Sequence, residues 1–183
     1  MVERLKTEHR AEVEWRPFYL RPDIPPEGIE LPDYLKARMA QTNARLKQMA
    51  NAAGLEMVFP TRIPNTRLAH EATEYARQHG KLLEFHHTVF DRFYGRGEDI
   101  SQWEVLREAT LQVGLDADEM QREVENGKFT AIVQQQVNEG GFIGVNGVPT
   151  YVLNHRYAIV GAQPYEVFQQ ALGRLATEIE RDK

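Results

Sequence analysis

The residues best placed to do chemistry are Gly144-Val145-Asn146-Gly147-Val148-Pro149-Thr150, where glycines bracket a Val-Pro just ahead of an apolar run. An X-Pro bond is the common place for a cis peptide, and a cis bond turns the backbone sharply. A trans proline opening a strand accounts for the same residues and is the commoner state, so the segment alone favours trans. Thiol chemistry is excluded within the chain. It contains no cysteine, hence no disulfide, thiolate metal site or thiol nucleophile, and cysteine usage leaves the redox compartment undetermined. The histidines do not compensate. His86 and His87 are adjacent and point about 100° apart on a helix, and His70 and His79 are too widely spaced to share one face. His70-Glu71 lacks the following histidine of a zinc-protease helix. No metal or cofactor is expected, and Phe85, Phe90 and Phe93 are assigned to a core rather than to a cofactor pocket.

The elements that must position this loop follow from periodicity. Tyr151-Val152-Leu153, a turn at Asn154-His155-Arg156 and Tyr157 to Val160 predict a β-hairpin. Gly161 and Pro164 then open a closing helix with inner face Val167, Phe168, Ala171, Leu172 and Leu175. Upstream, Ala11 to Leu20 alternates aromatic and β-branched residues with charges and predicts a strand, with Pro17 at an edge or end. Arg21 to Pro32 is crowded with prolines and predicts a loop. Leu35, Met39, Leu46, Met49 and Ala50 recur at helical spacing before Gly54, a C-terminal cap.

Five helical patterns follow without an intervening strand. They run over Leu68 to Gly80, Leu82 to Gly95, from a cap at Ser101 to Gly114, from Asp116 through Val124, and from Lys128 to Glu139. Unequal lengths and linkers mark them as an insertion rather than a repeat array.

Composition bounds the partners. With 183 residues, 42% hydrophobic and 27% charged, the chain forms one core with an insertion. A net charge of -5 with dispersed basic residues argues against nucleic acid. The charged start and the lack of a long apolar run predict a soluble, cytoplasmic protein without a membrane contact.

Taken together, Gly147-Val148-Pro149-Thr150, the hairpin and Gly161-Ala162-Gln163-Pro164 resemble the C-terminal half of the DsbA-like thioredoxin fold in its FrnE branch. Trp15-Arg16-Pro17-Phe18, Pro64-Asn65-Thr66-Arg67-Leu68-Ala69-His70 and Gly140 to Thr150 extend the resemblance over essentially the whole chain. The resemblance implies an α/β thioredoxin-like fold, with 1–60 and 141–183 forming an incomplete thioredoxin-like domain and 61–140 a helical insertion. It makes Val148-Pro149 cis and places Val148 and Pro149, with Asn65 and Gln163 as weaker candidates, in a substrate groove. Turn and cap roles suit Asn65 and Gln163 equally well.

The family begins with a strand and a Cys-Pro-x-Cys helix, whereas Met1 to Arg10 resembles only the tail of that helix. The implied activity is protein thiol-disulfide exchange, with a protein dithiol or disulfide, or a glutathione-like molecule, as partner. The chain itself lacks the catalytic thiols. Alternatives are a relative of the glutathione-binding kappa-class transferases and hydroxychromene-carboxylate isomerases, or a non-catalytic peptide-binding protein. Without the central N-terminal strand, the sheet is expected to close directly or to complete itself in a homodimer.

Overall fold

A computed structural model describes residues 2–181. Its elements are α1 (Val2–His9), β1 (Ile29–Glu30), α2 (Asp33–Ala52), β2 (Arg62–Ile63), α3 (Arg67–Gln78) and α4 (Leu82–Phe90). A π-helical turn (Asp91–Gly95) follows, then α5 (Trp103–Gln112), α6 (Ala117–Glu125), α7 (Thr130–Phe142), β3 (Thr150–Leu153), β4 (Tyr157–Val160) and α8 (Tyr165–Arg181). No helix among the described residues is long and apolar enough to cross a membrane. The chain groups into two compact units: residues up to 20 with those from 136 onward, and residues 21–135.

The 21–135 unit is built on a helical core. Ala72, Tyr75 and Ala76 of α3, Phe85 of α4, Leu106 and Ala109 of α5, and Met120 of α6 are buried around Phe129. Each large apolar side chain so buried contributes roughly 1.5–3 kcal/mol. The helix ends follow the glycines. At the end of α2, Gly54 has φ +73°, and the amides of Gly54 and Leu55 return to the carbonyls of Asn51 and Ala50, a Schellman closure. Asp116 caps α6, its carboxylate accepting from the amides of Asp118 and Glu119.

Three expectations change here. Ser101 is not the cap of α5: Gln102 occupies that position, and the Ser101 amide and hydroxyl both donate to Asp99. Phe90 is half exposed, stacked between His86 and Tyr94 rather than in the core beside Phe85. The proline-rich loop is not wholly irregular: Ile29 pairs with Ile63 and Glu30 with Arg62 in the gap between Pro26 and Pro32. That short ladder, with Asn65 Nδ2 donating to the Ile24 carbonyl at 2.7 Å, fastens residues 21–32 to the start of α3. Residues 21–60 group with the helical block.

In the other unit, β3 and β4 form a two-stranded antiparallel sheet, with Thr150 opposite Val160 and Leu153 opposite Tyr157. Asn154 and His155 take positive φ of 47° and 56° in the connecting turn. Tyr151 and Leu153 pack toward a cluster of Leu5, Ile159, Tyr165 and Phe168. Val167, assigned to the inner face of α8, is exposed, while Tyr165 takes the inward place. Ala11 to Leu20 is not a strand, because it forms no ladder among the described residues. Direct closure of the sheet therefore does not occur: the hairpin stays two-stranded.

Candidate functional site at the Val148-Pro149 loop

The loop is delivered by the end of α7. Gly144, at φ +83°, closes the helix, with its amide on the Gly141 carbonyl and the Val145 amide on the Gly140 carbonyl. The chain then runs through Asn146 and Gly147 into Val148-Pro149, whose peptide bond is cis. The Thr150 hydroxyl donates to the Gly147 carbonyl at 2.7 Å, tying the loop across its base.

Hydrogen bonding fixes which way the backbone faces. The Gly161 amide donates to the Pro149 carbonyl at 2.8 Å, so the bonded pairs of the ladder are Pro149 with Gly161, Tyr151 with Ile159, and Leu153 with Tyr157. The amides and carbonyls of Thr150 and Val152 consequently face away from β4 along an open edge. Val148 lies just ahead of the strand, across the cis bond. It is 55% exposed, and neither of its backbone groups is hydrogen-bonded among the described residues.

Val148, Pro149 and Gln163 are brought together in this unit. Gln163 Nε2 donates to the Val160 carbonyl at 2.9 Å, and its amide nitrogen to the Gly161 carbonyl, so Gln163 braces the strand that holds Pro149. Asn65 belongs to the other unit. There its amide is engaged twice, donating to the Ile24 carbonyl and accepting from the Arg67 amide at 2.9 Å, as a turn residue does. Two residues of the loop region escaped sequence reasoning: Phe142, 94% exposed, and Ile143, 56% exposed, on the α7 side of the loop. Their signal was an apolar pair enclosed by Gly140-Gly141 and Gly144.

The support beneath the loop is apolar and held by charge at its far side. The Tyr151 ring meets Phe168 edge-on, centroids 4.8 Å apart, and burial pushes its phenol pKa upward, so it stays neutral. Arg4 and the Tyr165 hydroxyl both donate to Glu8, at 2.8 Å each, and the Arg4 guanidinium lies over the Tyr165 ring. Those hydrogen bonds, that of Arg4 first, hold the Glu8 carboxyl below its usual range. This arrangement offers unpaired backbone groups beside an exposed apolar patch, and it presents no thiol.

Residues 1–173 match the DSBA-like thioredoxin domain family. The Bacillus subtilis protein YwbO is 30% identical over 165 residues, covering 88% of this chain and 81% of that protein. A Streptomyces coelicolor protein described as a probable DsbA oxidoreductase superposes with a TM-score of 0.78 at 25% identity, over 89% of this chain and 74% of its own. A 2-hydroxychromene-2-carboxylate isomerase shares the fold, with a TM-score of 0.76 at 18% identity, over 100% of this chain and 90% of its own.

Proposed function

The chain belongs to the DsbA-like thioredoxin-domain family, and we propose that it serves thiol-disulfide exchange by docking an extended protein or glutathione-like substrate along the backbone of Val148. One observation carries the reading: Val148 is exposed beside Pro149, just ahead of β3, with its amide and carbonyl uncommitted among the described residues. An extended chain can pair with such groups by strand addition, while Phe142 and Ile143 offer apolar contact.

Exchange proceeds by thiolate attack on a disulfide sulfur through a mixed disulfide. This chain contributes no thiol, so by itself it binds without turnover. A cysteine at a helix N-terminus gains a lowered pKa from the dipole and free amides, and would supply the missing step.

The test is a polypeptide carrying a strand and a Cys-Pro-x-Cys helix ahead of Met1, assayed for insulin reduction and for oxidative refolding of a reduced protein. Activity is expected. A folded product with both thiols titratable and no activity would overturn the exchange reading in favour of a non-catalytic binding protein. Saturable binding of glutathione without peptide binding would move the assignment to the isomerase branch.

A further inference from the structure

An asparagine side chain is most open to attack by its own backbone where glycine follows, because glycine carries no side chain to block the approach. The chain holds two such pairs, Asn126-Gly127 and Asn146-Gly147. Both asparagines are exposed, so exposure does not separate them. Their backbones do. Asn126 is the C-cap of α6, and Gly127, at φ +73°, sits in a Schellman closure. The Gly127 amide donates to the Val124 carbonyl at 2.9 Å, and the Lys128 amide to the Glu123 carbonyl at 3.2 Å. Asn146 and Gly147 lie outside any helix or strand. Among the described residues, neither Asn146 nor the Gly147 amide is hydrogen-bonded. Apart from the adjoining residues, no atom lies within 4 Å of where a Cβ at Gly147 would stand.

We propose that Asn146 is a self-modification site, at which the chain converts asparagine to isoaspartate at the entrance to the Val148-Pro149 loop. The Gly147 amide nitrogen gives its proton to solvent base and attacks the carbonyl carbon of the Asn146 side chain. A carbon–nitrogen bond forms, the bond to the side-chain nitrogen breaks, and that nitrogen takes a proton from water and leaves as ammonia. Water then opens the cyclic imide. Opening at the main-chain carbonyl leaves isoaspartate, whose backbone is longer by one methylene; opening at the other carbonyl leaves aspartate. No oxidant, metal or second protein takes part. Either product adds one negative charge two residues ahead of Val148, and isoaspartate lengthens the backbone beside Gly147, whose carbonyl accepts from the Thr150 hydroxyl. The isoaspartyl carboxylate is in turn a methyl acceptor of the class used by S-adenosylmethionine-dependent carboxyl methyltransferases. The site does not depend on whether Val148 docks a peptide.

The test incubates the purified chain at mildly alkaline pH and follows both positions by peptide mapping, with an isoaspartyl methyltransferase and labelled S-adenosylmethionine as the probe for isoaspartate. Position 146 should gain the product roughly tenfold faster than position 126, the factor set by the hydrogen bond that must first open at Gly127. In urea, where no closure remains, the two rates should converge. Gly147→Ala should slow the reaction at 146 and leave that at 126 unchanged. Asn146→Gln should remove most of the methyl acceptance of the folded chain with unchanged circular dichroism. Equal rates in the folded chain, faster reaction at 126, reaction at 146 only after unfolding, or methyl acceptance indifferent to Asn146→Gln would each overturn the proposal.

Discussion

The amide of Gly161 donates to the carbonyl of Pro149 at 2.8 Å, and this one bond sets the phase of the hairpin. Amide hydrogen exchange should therefore alternate. Tyr151, Leu153, Ile159 and Gly161 should be protected, while Thr150 and Val152 exchange faster. Equal protection of Thr150 and Tyr151 would mean that the edge of β3 is covered.

Arg92 is a buried guanidinium in the π-helical turn, with Nη1 bonded to Glu98 at 2.7 Å and to Glu108 at 2.8 Å. Arg92→Met should destabilise the chain by about 2–3 kcal/mol, because two charge-assisted bonds are lost, one to Glu98 in the following loop and one to Glu108 of α5. Glu108 is 65% exposed, and Glu108→Gln should cost under about 1 kcal/mol. Urea denaturation of both variants decides the ranking.

Burial, reinforced by neighbouring His87, pushes the His86 imidazole from 6.5 down to about 4. The unfolded chain then binds a proton that the folded chain refuses. Stability from this group is full above about pH 6.5 and is lost as pH falls toward 4. Thermal melts across that window should flatten in His86→Gln; an unchanged slope would assign the acid sensitivity elsewhere.

The legible parts of the sequence were those governed by local rules. Gly54, Gly80 and Gly114 marked helix ends because each takes a positive φ that other residues avoid. The hairpin was equally local, whereas the cis state of Val148-Pro149 followed only from the family resemblance. What escaped depends on distant partners. Ala11 to Leu20 has strand composition, but a strand exists only with a ladder beside it, and none forms among the described residues. Periodicity assigned Phe90 and Val167 to inner faces, and neighbouring helices decided otherwise. Asn65 illustrates a different gap, since its residue type suits a turn and a groove alike, and its amide is spent on Ile24 and Arg67.

The docking role of Val148 is tested most directly by titrating the chain with alkylated insulin B chain while following backbone amides by NMR. The account predicts saturable shifts at Val148 and Thr150, slowed exchange at Thr150, and loss of all of these in Val148→Pro. Retained protection of Tyr151 and Ile159 in that variant would show that the hairpin is intact. Saturable binding with shifts confined to residues 21–135, or binding unchanged by Val148→Pro, would contradict it.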